Sequence, residues 1–372
     1  MARVFVRTVT DYNPSIKIQV KELLDRHLRG SITPATRVLI KPNLLTAAAL
    51  ERAIATHPMI VRAAVEYALD HQASVQVSDS PALGPFRRIL RATGLAEALQ
   101  GLDVNLTEFR DSVSVEVGEP LRRLEIAREA VQAEVVINLA KLKTHSQMLL
   151  TLGVKNLFGC VVGVRKPNWH MRLGVDRERF ADLLVRIYQV VHPAVTLIDG
   201  VLALAGDGPG FGGKPRPVGC LLAAADAVAA DMAVCRLLGL DLERLPTNRA
   251  AARLGLVPAA VEIDGALPTI RDFELPEISS SLLGPPRLQP LIRRHLLQRP
   301  QVHPDACRQC GECWSYCPAR AISRAERGVS FDYGRCIRCY CCLEICPQGA
   351  ITTVEPTLGR LLRKVSRGRW IG

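Results

Sequence analysis

Two groups of residues in this chain have the types and spacing to do chemistry. Nine of the twelve cysteines lie at or beyond position 307, in the runs CRQCGECWSYCP (307–318) and CIRCYCCLEICP (336–347). Both fit C-x2-C-x2-C-x3-C-P, and matching cysteines stand 29 residues apart throughout: 307 and 336, 310 and 339, 313 and 342, 317 and 346. The match continues as CPARAI and CPQGAI, so the segment is an internal duplication. Thiolates clustered on a tight loop present several sulfurs to iron, and the proline after the fourth keeps the loop from running on as helix. A disulfide scaffold belongs to exported proteins, and no export signal is evident. Zinc would leave the three-plus-one spacing and the duplication without a reason. Iron–sulfur ligation is therefore the expectation, with Cys341 as a ninth thiol of no assigned role.

The second group is cationic. The apolar run EVVINL is followed by Lys141, Lys143 and His145, and then by Lys155 and Asn156. The chain has only nine lysines against 39 arginines, yet four of the lysines fall between 141 and 166. Lysine is a compact, titratable charge, whereas arginine is a permanently charged fork. Where this chain keeps lysine, a point charge or a movable proton is the expected need. KLKTH is expected to face a ligand with negative charge or a reducible carbonyl.

These groups must be positioned by a scaffold. Residues 1–270 alternate between β-rich runs, RVFVRTV (3–9), RVLIK (37–41), SVQVS (74–78), EVVINL (134–139), AVTLID (194–199) and VGCLLAAA (218–225), and helical patterns such as 57–72 and 178–191. Such alternation predicts an α/β fold, a mostly parallel sheet with helices on both faces, and 103–126 reads as an antiparallel insertion. In open sheets of this kind, ligands bind beyond the carboxyl ends of the strands. Lys41, Asn43, Asp79 and Asp199 fall at such ends and are expected to bind substrate. Lys141, Lys143, His145, Lys155 and Asn156 are expected to do the chemistry. Lys143 and His145 would stabilise charge or donate protons, while Lys141 and Lys155 orient the substrate. Asp226, ahead of an apolar helical run, reads as a helix N-cap. GDGPGFGGK (206–214) lacks the phosphate-loop spacing and reads as a flexible flap.

The cysteine runs resemble the bacterial two-cluster ferredoxin domain over about residues 301–355. The resemblance implies two 4Fe-4S clusters with crossed fourth ligands: Cys307, Cys310, Cys313 and Cys346 on one, Cys336, Cys339, Cys342 and Cys317 on the other. IKPN (40–43), SDSP (78–81), INLAKLKTH (137–145), VKNLFG (154–159), LIDGVLALAGDGPG (197–210) and AAADAVAADMAVCRLLG (223–239) occur in order. In these motifs the chain resembles the uncharacterised prokaryotic family known as domain of unknown function 362. Its members often carry a C-terminal ferredoxin domain and usually have Pro where this chain has Ala140. The resemblance supplies no reaction.

The sequence thus divides into an α/β domain (1–270), a Pro-, Ser- and Arg-rich linker (271–300), a cluster domain (301–355) and a basic tail (356–372) that could lie on an anionic membrane surface. The net charge of +12 comes without an aromatic-interleaved basic stripe, so a nucleic-acid interface is not expected. MARVFVRTV alternates in polarity as a strand does, and the expected location is cytoplasmic. The expected function is a redox enzyme taking electrons from a redox partner protein to a small anionic or carbonyl substrate. The alternative is an electron-transfer adaptor whose large domain binds a partner protein or nucleotide without catalysis.

Overall fold

Strand and helix alternation builds one nine-stranded sheet. The structure, a computed structural model, describes residues 1–82, 84–163, 165–173, 176–276 and 297–357. The strands of the large domain are β1 (Ala2–Thr8), β2 (Arg37–Lys41), β3 (Ser74–Asp79), β4 (Asn105–Glu108), β5 (Ser112–Gly118), β6 (Arg122–Ala127), β7 (Val135–His145), β8 (Leu149–Thr151), β9 (Val195–Gly206), β10 (Gly213–Ala224) and β11 (Val261–Asp264). The sheet order is β11-β1-β10-β9-β7-β2-β3-β4, with β8 on the far end of β7. Within this sheet β10 and β8 run antiparallel to their neighbours and the remaining pairings are parallel. The hairpin β5–β6 is the antiparallel insertion, whereas β4 joins the sheet edge parallel to β3.

Alternate strand residues enter opposite layers, as the two-residue period of a strand requires. Ile40, Ile137, Leu139, Leu197 and Leu221 pack with the helices Ile16–Leu28 and Pro58–Asp70. Leu39 and Val136 pack with the helix Arg177–Val191, and Ile198 and Leu222 with the helix Ala227–Leu237, on the other face. Asp226 caps that last helix, accepting the backbone N–H groups of Val228 (2.7 Å) and Ala229 (3.2 Å). Among the described residues no helix is long and apolar enough to cross a membrane.

Three sequence expectations change in the fold. KLKTH is not a loop after β7 but the last stretch of β7 itself, paired with β8 and β9. The glycine-rich 206–213 is pinned and not a free flap. Ser146 donates to the Gly208 carbonyl through its backbone N–H (3.1 Å) and its hydroxyl (2.8 Å), and Arg52 donates to the Phe211 carbonyl. A Cβ on Gly210 would lie 2.6 Å from the Glu344 carbonyl oxygen, so this segment is where the large domain meets the cysteine region. Of the expected linker, 271–276 packs back on the sheet, with Glu274 accepting from the Gly206 N–H, and 299–302 pairs with 351–354. The intervening 277–296, and 358–372 of the basic tail, lie outside the described residues.

The C-terminal region holds two antiparallel pairs, Arg299–Val302 with Ile351–Val354 and Ile322–Arg324 with Val329–Phe331, and the short helices Glu312–Ser315 and Cys341–Ile345. The duplication repeats in the backbone. Left-handed φ values recur at Gln309 and Arg338, Gly311 and Tyr340, and Arg320 and Gly349, each pair 29 residues apart.

Candidate functional site

The cysteines form two sets. Cys313 has Cys346, Cys307 and Cys310 as its thiol neighbours, and those four line one cavity. Cys317 lies beside Cys339 and Cys336, and Cys342 beside Cys339 and Cys336, with Cys313 of the first set and Cys317 also near it. All twelve cysteines are free. Among the described residues no three His, Cys, Asp or Glu side chains converge on the position of a single metal ion. The first set lines a cavity instead, as a four-iron cluster needs. The backbone also prepares for thiolate: Ala321 donates to Sγ of Cys317 (3.3 Å) and Ala350 to Sγ of Cys346 (3.2 Å), again 29 residues apart. The crossed pairing fits both sets.

A second cavity, with an empty volume of about 640 Å3 including its mouth, opens where the C-terminal ends of β2, β3 and β7 meet the second cysteine run. Seven of the nine expected site residues line it: Lys41, Asn43, Asp79, Lys143, His145, Lys155 and Asn156. Lys41 is 1% exposed and its Nζ sits 2.9 Å from Oδ1 of Asp79. Asp79 also accepts the backbone N–H groups of Leu44 and Ser80, both at 2.8 Å, so Pro42 and Pro81 turn two strand ends around one carboxylate. Lys143 Nζ donates to Oδ1 of Asn43 (2.7 Å) and to the Ile54 carbonyl (2.8 Å). From Asn43 a chain of amides runs inward. Asn43 Nδ2 donates to Asn156 Oδ1 (2.8 Å), Asn156 Nδ2 to Asn138 Oδ1 (2.8 Å), and Asn138 Nδ2 to the Gly153 carbonyl (3.0 Å). This network fixes each amide's orientation and spends Asn156 on positioning.

His145 Nδ1 accepts the backbone N–H groups of Gln147 (3.1 Å) and Met148 (3.3 Å), which leaves the ring proton on Nε2. Nε2 lies 3.0 Å from Oε1 of Glu344, within ion-pair range but outside hydrogen-bond alignment, so both atoms keep bonding capacity. Lys155 makes no hydrogen bond among the described residues; its ammonium stands 5.9 Å over the Phe158 ring. Burial pushes Lys143 down to about 7, with Lys155 as the next cause.

The structure adds residues that the sequence reading missed. Lys166 and His170, from the helix Arg165–Leu173, Thr151 of β8, and Tyr316, Cys341 and Glu344 of the cysteine region all line the same cavity. His170 Nδ1 and Thr151 Oγ1 are buried without partners. Lys166 binds the hydroxyl (2.7 Å) and carbonyl of Ser80. Asp231 accepts the N–H groups of Gly153 (2.7 Å) and Val154 (3.3 Å), anchoring the turn that carries Lys155. A carboxylate within the apolar AVAADMAV was its only sequence signal.

Lys141 and Asp199 do not line this cavity. They close a separate cluster in which Lys141 Nζ donates to Asp199 Oδ2 and to the Tyr12 hydroxyl, and Tyr12 donates to Asp199 Oδ1, each at 2.8 Å. The register explains the split: Lys141 lies opposite Asp199, whereas Lys143 lies opposite Leu204 across an irregularity in β9. The hydrogen-bonding groups of Lys141, Asp199 and Tyr12 are engaged within this cluster. Lys141→Met should cost about 3–5 kcal/mol by stranding a buried carboxylate, and denaturant unfolding measures it; a loss below 1 kcal/mol would mean Asp199 is solvated.

Burial also sets the acid stability. His57, His145 and His170 are each pushed down to about 4, chiefly by burial, while burial pushes the Asp231 carboxyl up to about 8. Between about pH 4 and 6.5 the unfolded chain binds protons at three histidines that the fold keeps neutral, so stability falls as pH falls. Asp231, protonated only in the fold, opposes this as one group against three. The urea midpoint should be lower at pH 5 than at pH 7, and equal midpoints would show that the histidines are charged in the fold.

Comparisons with known proteins identify the family and the cysteine-rich domain. Residues 38–236 match the profile of the family described as domain of unknown function (DUF362), and residues 299–347 match that of the 4Fe-4S dicluster domain. The chain is 38% identical over 274 residues to a thylakoid-associated protein of Synechocystis, covering 72% of this chain and 85% of that protein. Over 57 residues it is 40% identical to the pyruvate synthase subunit PorD of Thermotoga maritima, 15% of this chain and 57% of the subunit. Among solved structures, the lactate racemase apoprotein from Thermoanaerobacterium thermosaccharolyticum overlays with a TM-score of 0.40 at 11% identity, covering 64% of this chain and 56% of the racemase. The chain belongs to the DUF362 family and carries a 4Fe-4S ferredoxin domain.

Proposed function

We propose that this DUF362 protein is an iron–sulfur oxidoreductase that holds two 4Fe-4S clusters and reduces a small anionic or carbonyl compound in the cavity between its α/β domain (1–270) and its cluster domain (301–355). One observation carries the reading. Cys341 and Glu344, on either side of the ligand Cys342, form a wall of the same cavity that Lys143, His145 and Lys155 line from the large domain. Cys307, Cys310, Cys313 and Cys346 would hold one cluster, and Cys336, Cys339, Cys342 and Cys317 the other. When bound, the clusters supply single electrons. The chain's own residues do the rest. Lys155, which makes no hydrogen bond among the described residues, offers its amine to an anionic group, and His145 presents an Nε2 proton near Glu344. The two domains exclude water from the polar contacts between them, which strengthens each contact.

Cys310 is exposed, whereas its counterpart in the repeat, Cys339, is buried. The first cysteine set therefore offers a surface where a protein electron donor would dock, in keeping with the PorD likeness. The test is anaerobic reoxidation. The reconstituted chain should contain about eight irons, and after reduction its absorbance should recover rapidly with one compound from a panel of small anions and carbonyls. Recovery only with protein partners, with iron content intact, would defeat the enzyme reading in favour of an electron-transfer adaptor.

A further inference from the structure

We propose that Lys143 engages its substrate covalently, its neutral amine condensing with the carbonyl of a small aldehyde or ketone that bears an anionic group. The inference rests on the cavity being the substrate site, as above, and narrows the class of substrate.

The argument is a contrast among three lysines at neighbouring strand positions. Lys41, Lys141 and Lys143 are each 1% exposed. Burying an ammonium is costly unless a counter-charge accompanies it. Lys41 has Asp79 at 2.9 Å, and Lys141 has Asp199 at 2.8 Å. Among the described residues Lys143 touches no carboxylate. Both of its hydrogen bonds go to neutral acceptors, Oδ1 of Asn43 and the Ile54 carbonyl. Asn43 cannot turn its amide nitrogen to Lys143 without breaking its bond to Asn156, so the oxygen stays in place.

A neutral primary amine has two N–H groups and one lone pair. The two N–H groups meet the two acceptors, and the remaining tetrahedral position is the lone pair, on a residue that lines the cavity. Burial and the Lys155 cation both work to remove the third proton. The walls around this nitrogen suit an anionic carbonyl compound. Lys155 is free for the anion, and the buried, unpartnered His170 Nδ1 and Thr151 Oγ1 await polar atoms of a ligand.

The step balances without an oxidant. The Nζ–C bond forms as the C=O bond breaks, both amine hydrogens leave with the oxygen as water, and hydrolysis reverses it. Once the imine takes up one proton from the medium, it draws electron density from the attached carbon, which makes it a better electron acceptor than the parent carbonyl.

The cluster-loaded chain is incubated anaerobically at pH 7 with cyanoborohydride and either glyoxylate or formaldehyde, and modified lysines are mapped by mass. Nine lysines keep the map simple. Lys143 should label at least about tenfold faster than the exposed Lys214, because an ordinary lysine is almost wholly protonated at pH 7. Lys143→Arg should remove that label and leave Lys214 unchanged. Labelling of Lys214 as fast as Lys143 with both probes overturns the proposal, and labelling of Lys143 by formaldehyde alone overturns its anionic part. Reoxidation assays on the same samples separate the failures. A small compound that reoxidises the chain while Lys143 takes no label leaves the cavity as the substrate site and removes the imine. Labelling at Lys143 with no compound effective keeps the imine and removes the reductase.

Discussion

Replacing Lys143 by methionine should stop substrate-driven reoxidation while leaving the iron in place. The loss expected for removing a positioned proton-transfer or nucleophilic group is about 100-fold or more. Methionine keeps much of the lysine stem, so the cavity is not emptied. What is lost is the nitrogen, and with it the partner of Asn43 Oδ1 and of the Ile54 carbonyl. Stranding those acceptors costs about 1–3 kcal/mol each, which a protein of ordinary stability survives. Iron content and the urea midpoint therefore separate the two explanations. Iron near the wild-type level with turnover abolished assigns Lys143 to the chemistry. Loss of iron along with activity would make it a structural lysine bracing the contact between the domains.

Gly159→Ala should be among the most destabilising single-methyl additions in the chain. A Cβ at this position would lie 2.1 Å from Oδ1 of Asp79, 2.5 Å from Nζ of Lys41 and 2.7 Å from its Cε. Neither partner can withdraw easily. Asp79 is held by Lys41 and by the N–H groups of Leu44 and Ser80, and Ser80 also donates to the Gly159 carbonyl at 3.2 Å. The added methyl must break a buried ion pair or move the backbone that closes the cavity. Opening such a pair costs about 3–5 kcal/mol, which is a large fraction of a typical total stability of about 5–15 kcal/mol. Denaturant unfolding of the intact chain measures it, and a change within about 0.5 kcal/mol would show that the Lys41–Asp79 contact is looser than described. Glycine serves here because two charged side chains occupy the space of a Cβ, not because the backbone takes a left-handed turn.

Features carried by local repetition were legible in the sequence. The 29-residue offset of the cysteines announced the repeat that the backbone shows, because a duplicated segment folds into duplicated geometry. The α/β alternation and the N-cap at Asp226 were legible for the same local reason.

What the tertiary structure decided is which of those polar residues meet. Lys141 and Asp199 looked like members of the site, yet Tyr12, 187 residues from Asp199, closes them into a saturated cluster. Lys166 and His170 carry no strand-end signature and enter the cavity from a helix. Cys341, Glu344 and Tyr316 complete it from the far end of the chain, held there by the glycine segment that the sequence suggested was free. Sequence by itself determined which chemistry each segment could perform, because composition and period are local properties. The fold decided that Cys341 and Glu344 of the second cysteine run and the lysines line one cavity, because that depends on strand order, register and domain docking between residues far apart in the chain.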